Sequence, residues 1–190
     1  MRGRSCPREK TVAESVWFRL ALPYPASLTA PGLGVLVAAL AWPAGADGWK
    51  AAAVLAGLVA WTLSEYLLHR FLLHGVEPFR AWHLAHHRNP TQPIRVPLAF
   101  SLALVIAVLG LSFALPWAES LAAPLSVGLL LGDMLQETVH QGLHAQGVLG
   151  QGLARLRAHH GHHHFVDERA AFGTLTTFWD RCFGTAPRSR

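Results

Sequence analysis

The sequence predicts an all-α membrane protein: four transmembrane helices in two hairpins, carrying a helical, histidine-rich cap on the cytoplasmic side. Three observations predict it. Of 190 residues, 52% are hydrophobic and only 14% are charged, a balance unusual for a soluble domain. Four apolar segments, 28 to 42, 51 to 68, 97 to 115 and 121 to 139, are separated by polar or Pro/Gly-rich connections. The histidines lie outside those segments, five between His69 and His87 and seven between His140 and His164.

Residues 1–27 open with MRGRSCPREKTVAESVWFRL, basic and polar before any apolar run. No small-residue cleavage site follows the first hydrophobic segment, so no removed signal peptide is expected. Pro31, Gly32 and Gly34 stand at the start of segment one and predict a shortened, partly embedded helix there. A hydrocarbon core of roughly 30 Å needs about 20 helical residues, so segments two, three and four span or nearly span it. Pro43, Ala44, Gly45, Ala46, Asp47 and Gly48 form a tight connection that folds segments one and two into a hairpin. Pro116, Trp117, Ala118, Glu119 and Ser120 do the same for segments three and four. The result is one integral-membrane domain over 1–190: a cytoplasmic N-terminal segment 1–27, hairpins over 28–139 with a cytoplasmic connection 69–96, and a cytoplasmic tail 140–190.

Charge sets the orientation. With all four segments spanning, every Lys and Arg except Lys50 falls on the side of the N-terminus, the 69–96 connection and the tail, and that side is cytoplasmic by the positive-inside rule. Trp42, Trp49 and Trp117 then lie near the outer interface and Trp17 and Trp82 near the inner one, unless they simply pack. The net charge of +5 comes without a compact basic run, so the expected partner is anionic lipid and not nucleic acid. Cys6 and Cys182, near opposite ends, support neither a disulfide scaffold nor a cysteine zinc site.

Imidazole is the commonest side-chain metal ligand, and two dense clusters separated by apolar sequence suggest ligands gathered by folding. His83, His86 and His87 have the i, i+3, i+4 spacing of one helical face; His140 and His144 share a face at i, i+4; His160, His163 and His164 repeat the triple pattern, with His159 and His162 as extra members. His69 and His74 are five apart and point apart on a regular helix, so a loosened helix end or a site curving around the helix is needed. One isolated pair reads as surface or satisfied core histidines; four groups on one side of a membrane do not. On ligand softness alone, the all-nitrogen set suits iron, zinc or copper.

The motifs HRFLLH (69–74), HLAHH (83–87), HQGLH (140–144) and HGHHH (160–164), in this order, resemble those of the fatty acid hydroxylase/sterol desaturase superfamily of membrane dimetal proteins. The approach WTLSEYLLHRFLLH (61–74) and the tail FGTLTTFWDRCFGT (172–185) are most similar to its fatty acid 2-hydroxylase branch. The resemblance implies ten ligands for two metal ions: His69, His74, His83, His86, His87, His140, His144, His160, His163 and His164. His159 and His162 are then neighbours or orienting partners. It implies iron, with zinc as a substitute, and oxygen-dependent hydroxylation of a lipid C–H bond, with a fatty acyl chain as the expected substrate. The cytochrome b5 domain fused to some relatives does not occur in these residues, so a separate cytochrome b5-like or ferredoxin-like donor is implied. Carotenoid or sterol hydroxylation or desaturation is the alternative within the superfamily, and a non-catalytic membrane metal-binding protein the alternative outside it.

Several polar residues stand close to these motifs. Glu65 precedes His69 by four residues and Gln136 precedes His140 by four, placing each to orient an imidazole N–H. Asp133 and Glu137 are carboxylates within an apolar segment, where charge is costly and usually faces a protein interior; simple hydration is the alternative for Glu137. Arg155, Arg157 and Arg169 are expected to meet lipid headgroups or solvent. Trp179 and Asp180 are expected to pack the tail beneath the metal site.

Overall fold

The four apolar segments each form a helix, and glycines let two of those helices approach backbone to backbone. The structure, a computed structural model, describes residues 20–45, 48–114, 119–145 and 153–187. In order these form β1 (Ala21–Pro23), a 3-10 turn (Ala26–Leu28), α1 (Thr29–Leu40), α2 (Gly48–Leu67) continued by a π turn (Leu68–Leu73), α3 (Phe79–Arg88), β2 (Arg95–Pro97), α4 (Leu98–Ala114), α5 (Glu119–His144), α6 (Ala154–Phe165) and α7 (Phe178–Cys182). Cys6, Trp17, Ala46, Asp47, Pro116, Trp117 and Ala118 lie outside the described residues.

The pairing of α2 with α5 is the most extensive, and its cause is local. A Cβ on Gly57 would stand 2.5 Å from the Leu125 carbonyl oxygen, and one on Gly128 would stand 2.1 Å from that of Val54. Only glycines permit this approach, the small-residue packing typical of helices in lipid. Next along α5, Gly132 seats the Trp61 ring, which is 2% exposed. Helices α1 and α4 close on α5 from the other side, with Gly34 against Val105 and Leu130.

Helix α1 takes in Pro31, Gly32 and Gly34 instead of starting after them. Proline costs little in a first turn, whose N–H groups have no intrahelical partner. At Gly45, φ is 87°, and Lys50 reaches back from α2 to the carbonyls of Pro43, Ala44 and Gly45. This satisfies acceptors at the turn after α1 and explains a buried lysine in an apolar helix.

The chain is mostly helical but not wholly so. Strands β1 and β2 pair antiparallel, with Leu22 opposite Val96. Three residues each, ending in Pro23 and Pro97, they are too short to show the alternation by which a strand is recognised. The ladder pins the segment before α1 to the connection before α4, at the histidine end of the bundle.

By length and composition, Gly48–Leu73 is long and apolar enough to cross a membrane, while Ala26–Leu40 and Leu98–Ala114 are shorter apolar helices. Large side chains on their outer faces are open: Leu40 is 88% exposed, Ile106 70% and Leu111 68%.

Candidate metal centre

Ten histidines converge, and they divide in a way their linear order hides. One group holds His69, His74, His83, His87 and His163; the other holds His86, His140, His144, His160 and His164. Within each group the potential ligand atoms lie within 4.8 Å of one another.

The split follows from helix geometry. On α3, His83 and His87 are one turn apart and serve the first group, while His86 points to the second. On α6, His160 and His164 serve the second group, while His163 points to the first. Neighbours in sequence thus serve different groups, and the two groups meet where the His87 and His164 rings stack, centroids 4.1 Å apart and planes 16° apart. Each histidine triple keeps the single face its spacing predicts, and that face straddles both groups.

His69 and His74 reach one group because α2 ends in a wide turn. Five residues on an α-helix turn the chain about 140° past a full circle; the π turn closes i to i+5. The His74 amide donates to the His69 carbonyl at 3.2 Å, and the two rings lie 5.1 Å apart. The loosened helix end that the spacing required is this turn.

The residues fit a metal. The Nε2 atoms of His69 and His83 are 2.9 Å apart, those of His83 and His87 3.0 Å, His74 and His163 3.0 Å, and His144 and His160 2.9 Å. Two nitrogens bound at about 2.1 Å and at right angles to each other stand about 3 Å apart. His69 Nδ1 lies 2.5 Å from the Phe172 carbonyl oxygen and His163 Nδ1 2.7 Å from that of Ala170. Donation to those carbonyls leaves each Nε2 as a lone pair aimed into the group. In the second group His86 Nε2, His140 Nε2 and both nitrogens of His164 are buried without a hydrogen-bond partner among the described residues, and such atoms need either a partner or a cation.

Electrostatics keep the rings neutral, the form that binds metal. Burial and the Arg80 guanidinium lower the His74 imidazole to about 4. Burial, with His144 and His163 beside it, lowers His86 to about 3. Burial also brings His163 down to about 4, against the opposing pull of its bond to Ala170. His83 and His160 are held well below the usual histidine range by the same burial and by neighbouring imidazoles.

Of the flanking polar residues, Glu65 and Gln136 take other roles than those expected. Glu65, 5% exposed, does not bond His69; it accepts the Thr174 and Leu175 amides at 2.8 and 3.2 Å and the Thr174 hydroxyl. It fastens the tail to α2, and the tail's Phe172 carbonyl orients His69. Gln136 makes no bond to His140 among the described residues; with Asp133 and Glu137 it lines a cavity of about 80 Å³ that His69, His83, His86 and His140 also border. Glu137 accepts the Ser27 hydroxyl at 2.5 Å. His159 donates to Asp180 at 2.9 Å, whereas the His162 ring has no hydrogen bond among the described residues. Arg157, half-buried, donates to the carbonyls of Gly142 and Ala145 at 3.0 and 2.6 Å, capping the α5 end that carries His144. Trp82 packs on Phe100 and donates to the Arg95 carbonyl at 2.7 Å. Trp179 donates to Thr62 at 2.9 Å and holds the tail against α2. Sequence reading missed the Ala170 and Phe172 carbonyls, since main-chain atoms leave no residue-type signal.

Known proteins are similar to this chain. The chain is 34% identical over 68% of its length to a fatty acid 2-hydroxylase of Homo sapiens, covering 38% of that protein. It is 33% identical to the ceramide very long chain fatty acid hydroxylase of Schizosaccharomyces pombe, over 68% of this chain and 40% of that one. A dihydroceramide fatty acyl 2-hydroxylase of Arabidopsis thaliana is 30% identical over 69% of this chain and 59% of its own. The chain thus spans well under two thirds of the length of these relatives. Among solved structures, full-length scs7p, of which only the hydroxylase domain is visible, superposes with a TM-score of 0.67 at 26% identity, over 86% of this chain and 63% of that one. The sequence profile of fatty acid hydroxylases matches residues 54–185, from the middle of α2 to the end of the tail, and takes in all ten clustered histidines; the chain belongs to the fatty acid hydroxylase family.

Proposed function

We propose that the chain is an integral-membrane lipid hydroxylase that inserts one atom of dioxygen into a C–H bond of a fatty acyl chain. The balance is RH + O₂ + 2e⁻ + 2H⁺ → ROH + H₂O, with the electrons from a separate donor protein of cytochrome b5-like or ferredoxin-like type. The observation that carries this reading is the gathering of ten neutral imidazoles into two groups of five. Five nitrogens per group exceed the four that would hold a closed structural zinc ion. In this reading all ten histidines are ligands, and the metal is iron, as the family resemblance implies. When bound, the metal pair supplies the redox chemistry that acid and base side chains lack.

The chain's own residues do the rest. The Phe172 and Ala170 carbonyls hold His69 and His163 in the ligating tautomer. Trp61, Leu68, Leu73, Phe100 and Leu104 give the cavity apolar walls that admit an acyl chain and exclude water; Asp133, Gln136 and Glu137 supply its polar side.

The topology belongs to the same proposal. It has four spans in two hairpins over 28–139, residues 1–27, the connection 69–96 and the tail 140–190 being cytoplasmic. The outward leucines and isoleucines of α1, α2 and α4 support it, because a chain in water rarely leaves so much contiguous apolar surface open. So does the β1–β2 ladder, which joins the N-terminal segment to the connection at one end.

The test is metal analysis of protein purified without oxygen, followed by product analysis on acyl lipids with donor and oxygen. Two irons per chain and a hydroxylated acyl product support the reading. Stoichiometric zinc, without iron-dependent oxygen consumption on any lipid, overturns it in favour of a non-catalytic metal-binding protein.

A further inference from the structure

We infer that Asp180 is a positioning residue for the first histidine group: it folds Ala170–Gly173 so that two backbone carbonyls set the rings of His69 and His163. The inference rests on reading that group as a metal site.

Asp180 is fully buried on α7 and touches no histidine of either group. Its Oδ1 accepts the Phe172 amide at 2.9 Å and the Thr185 hydroxyl at 2.7 Å. Its Oδ2 accepts the Gly173 amide and His159 Nε2, both at 2.9 Å. Four donors use about all the lone-pair sites a carboxylate has. Burial alone would raise this carboxyl; the bonds from His159, Thr185, Gly173 and Phe172 outweigh it and hold the group below the usual carboxylate range.

What these bonds fix is an unfavourable backbone. Ala171, completely buried, has φ of 59°, a left-handed conformation that a Cβ disfavours. Its amide donates to the Thr185 carbonyl at 2.8 Å. The carbonyls on either side of it, those of Ala170 and Phe172, are the two that receive His163 Nδ1 and His69 Nδ1. Without Asp180 nothing among the described residues holds the Phe172 and Gly173 amides, and the bond to Thr185 alone restrains Ala171. Among the described residues the second group has no such clamp, since His160 Nδ1 and His164 Nδ1 are without partners there.

Asp180→Asn, nearly isosteric, tests this in the purified full-length protein by cobalt(II) titration. It is made in two backgrounds: His144→Ala, which cripples the second group, and His74→Ala, which cripples the first. The expected result is a loss of cobalt affinity of about 10–100-fold in the His144→Ala background and of no more than about twofold in the His74→Ala background. Equal losses in both backgrounds, or none in either, overturn the inference, the first because Asp180 would then only support the scaffold. Thr185→Val, which removes one of the four donors, replaces Asp180→Asn if that variant does not fold; it should shift the same background alone, by a smaller factor. If the unsubstituted chain binds no cobalt, the metal-site reading fails first and the inference with it.

Discussion

The first histidine group leans on the tail, and the second leans on its helices. In the first, His69 and His163 are each tied to a backbone carbonyl of the Ala170–Phe172 segment, which Asp180 holds at Phe172 while Glu65 anchors the adjoining Thr174. In the second, His140, His144, His160 and His164 stand on the long helices α5 and α6, and the support nearest them is the Arg157 cap on α5. The first group is aimed by hydrogen bonds made before metal arrives; the second is aimed by helix packing and leaves ring nitrogens without partners. The difference teaches that equal ligand counts do not mean equal preorganisation, and that each group has its own weak point.

The comparison breaks altogether at the helix pair both groups depend on. Gly128→Leu places a branched side chain where even a Cβ meets the Val54 backbone; neither group should assemble, and folded yield and metal content should fall to background.

Substitution of neighbouring histidines separates the groups. His163→Ala and His164→Ala should each abolish turnover and lower the metal content from two ions per chain to one. Anomalous scattering or cobalt spectra should place the lost ion in the first group for His163→Ala and in the second for His164→Ala. Loss of both ions in both variants would mean that the division of ligands is wrong.

Acid reveals what the groups have in common. The folded imidazoles of His74 and His163 titrate near 4 and that of His86 near 3, against 6.5 when exposed. The unfolded chain therefore binds more protons between those limits, so stability is full above about 6.5 and declines as pH falls toward 4. The melting temperature of metal-free protein should be flat from pH 7 to 8 and drop steadily below 6.5, with metal release following the same direction.

The smallest effects are also the most selective. Glu65→Gln turns an amide toward the Thr174 donors and should cost about 1–3 kcal/mol of stability, weakening metal in the first group about 10-fold. Arg157→Ala should cost about 1 kcal/mol and weaken the second group by a smaller factor. Equal responses of both groups to either variant would erase the distinction. Denaturation midpoints and competitive chelation measure both.

Much of this was legible in the sequence. The apolar segments located α1, α2, α4 and α5, the motif spacing marked the histidine groups, and the family resemblance singled out the ten that converge. The partition was not legible: residues one position apart differ by about 100° on a helix, so which group each ring joins depends on where the other helices stand. Glu65 was noticed for its spacing from His69, yet its partner is Thr174, 109 positions away. The strands were too short to show a period, and the Phe172 and Ala170 carbonyls have no signature in residue type.

The π turn at Leu68–Leu73 carries one more consequence. A widened turn at the end of a long helix has poorer hydrogen bonds than the α-helix before it, and here both ends of its i to i+5 closure are metal-site histidines. Whatever pins His69 and His74 also pins the turn. Amide exchange over Leu68–His74 therefore serves as a built-in occupancy gauge: slow when the first group is filled, fast when it is emptied, while the amides of Gly48–Leu67 keep their protection in both states.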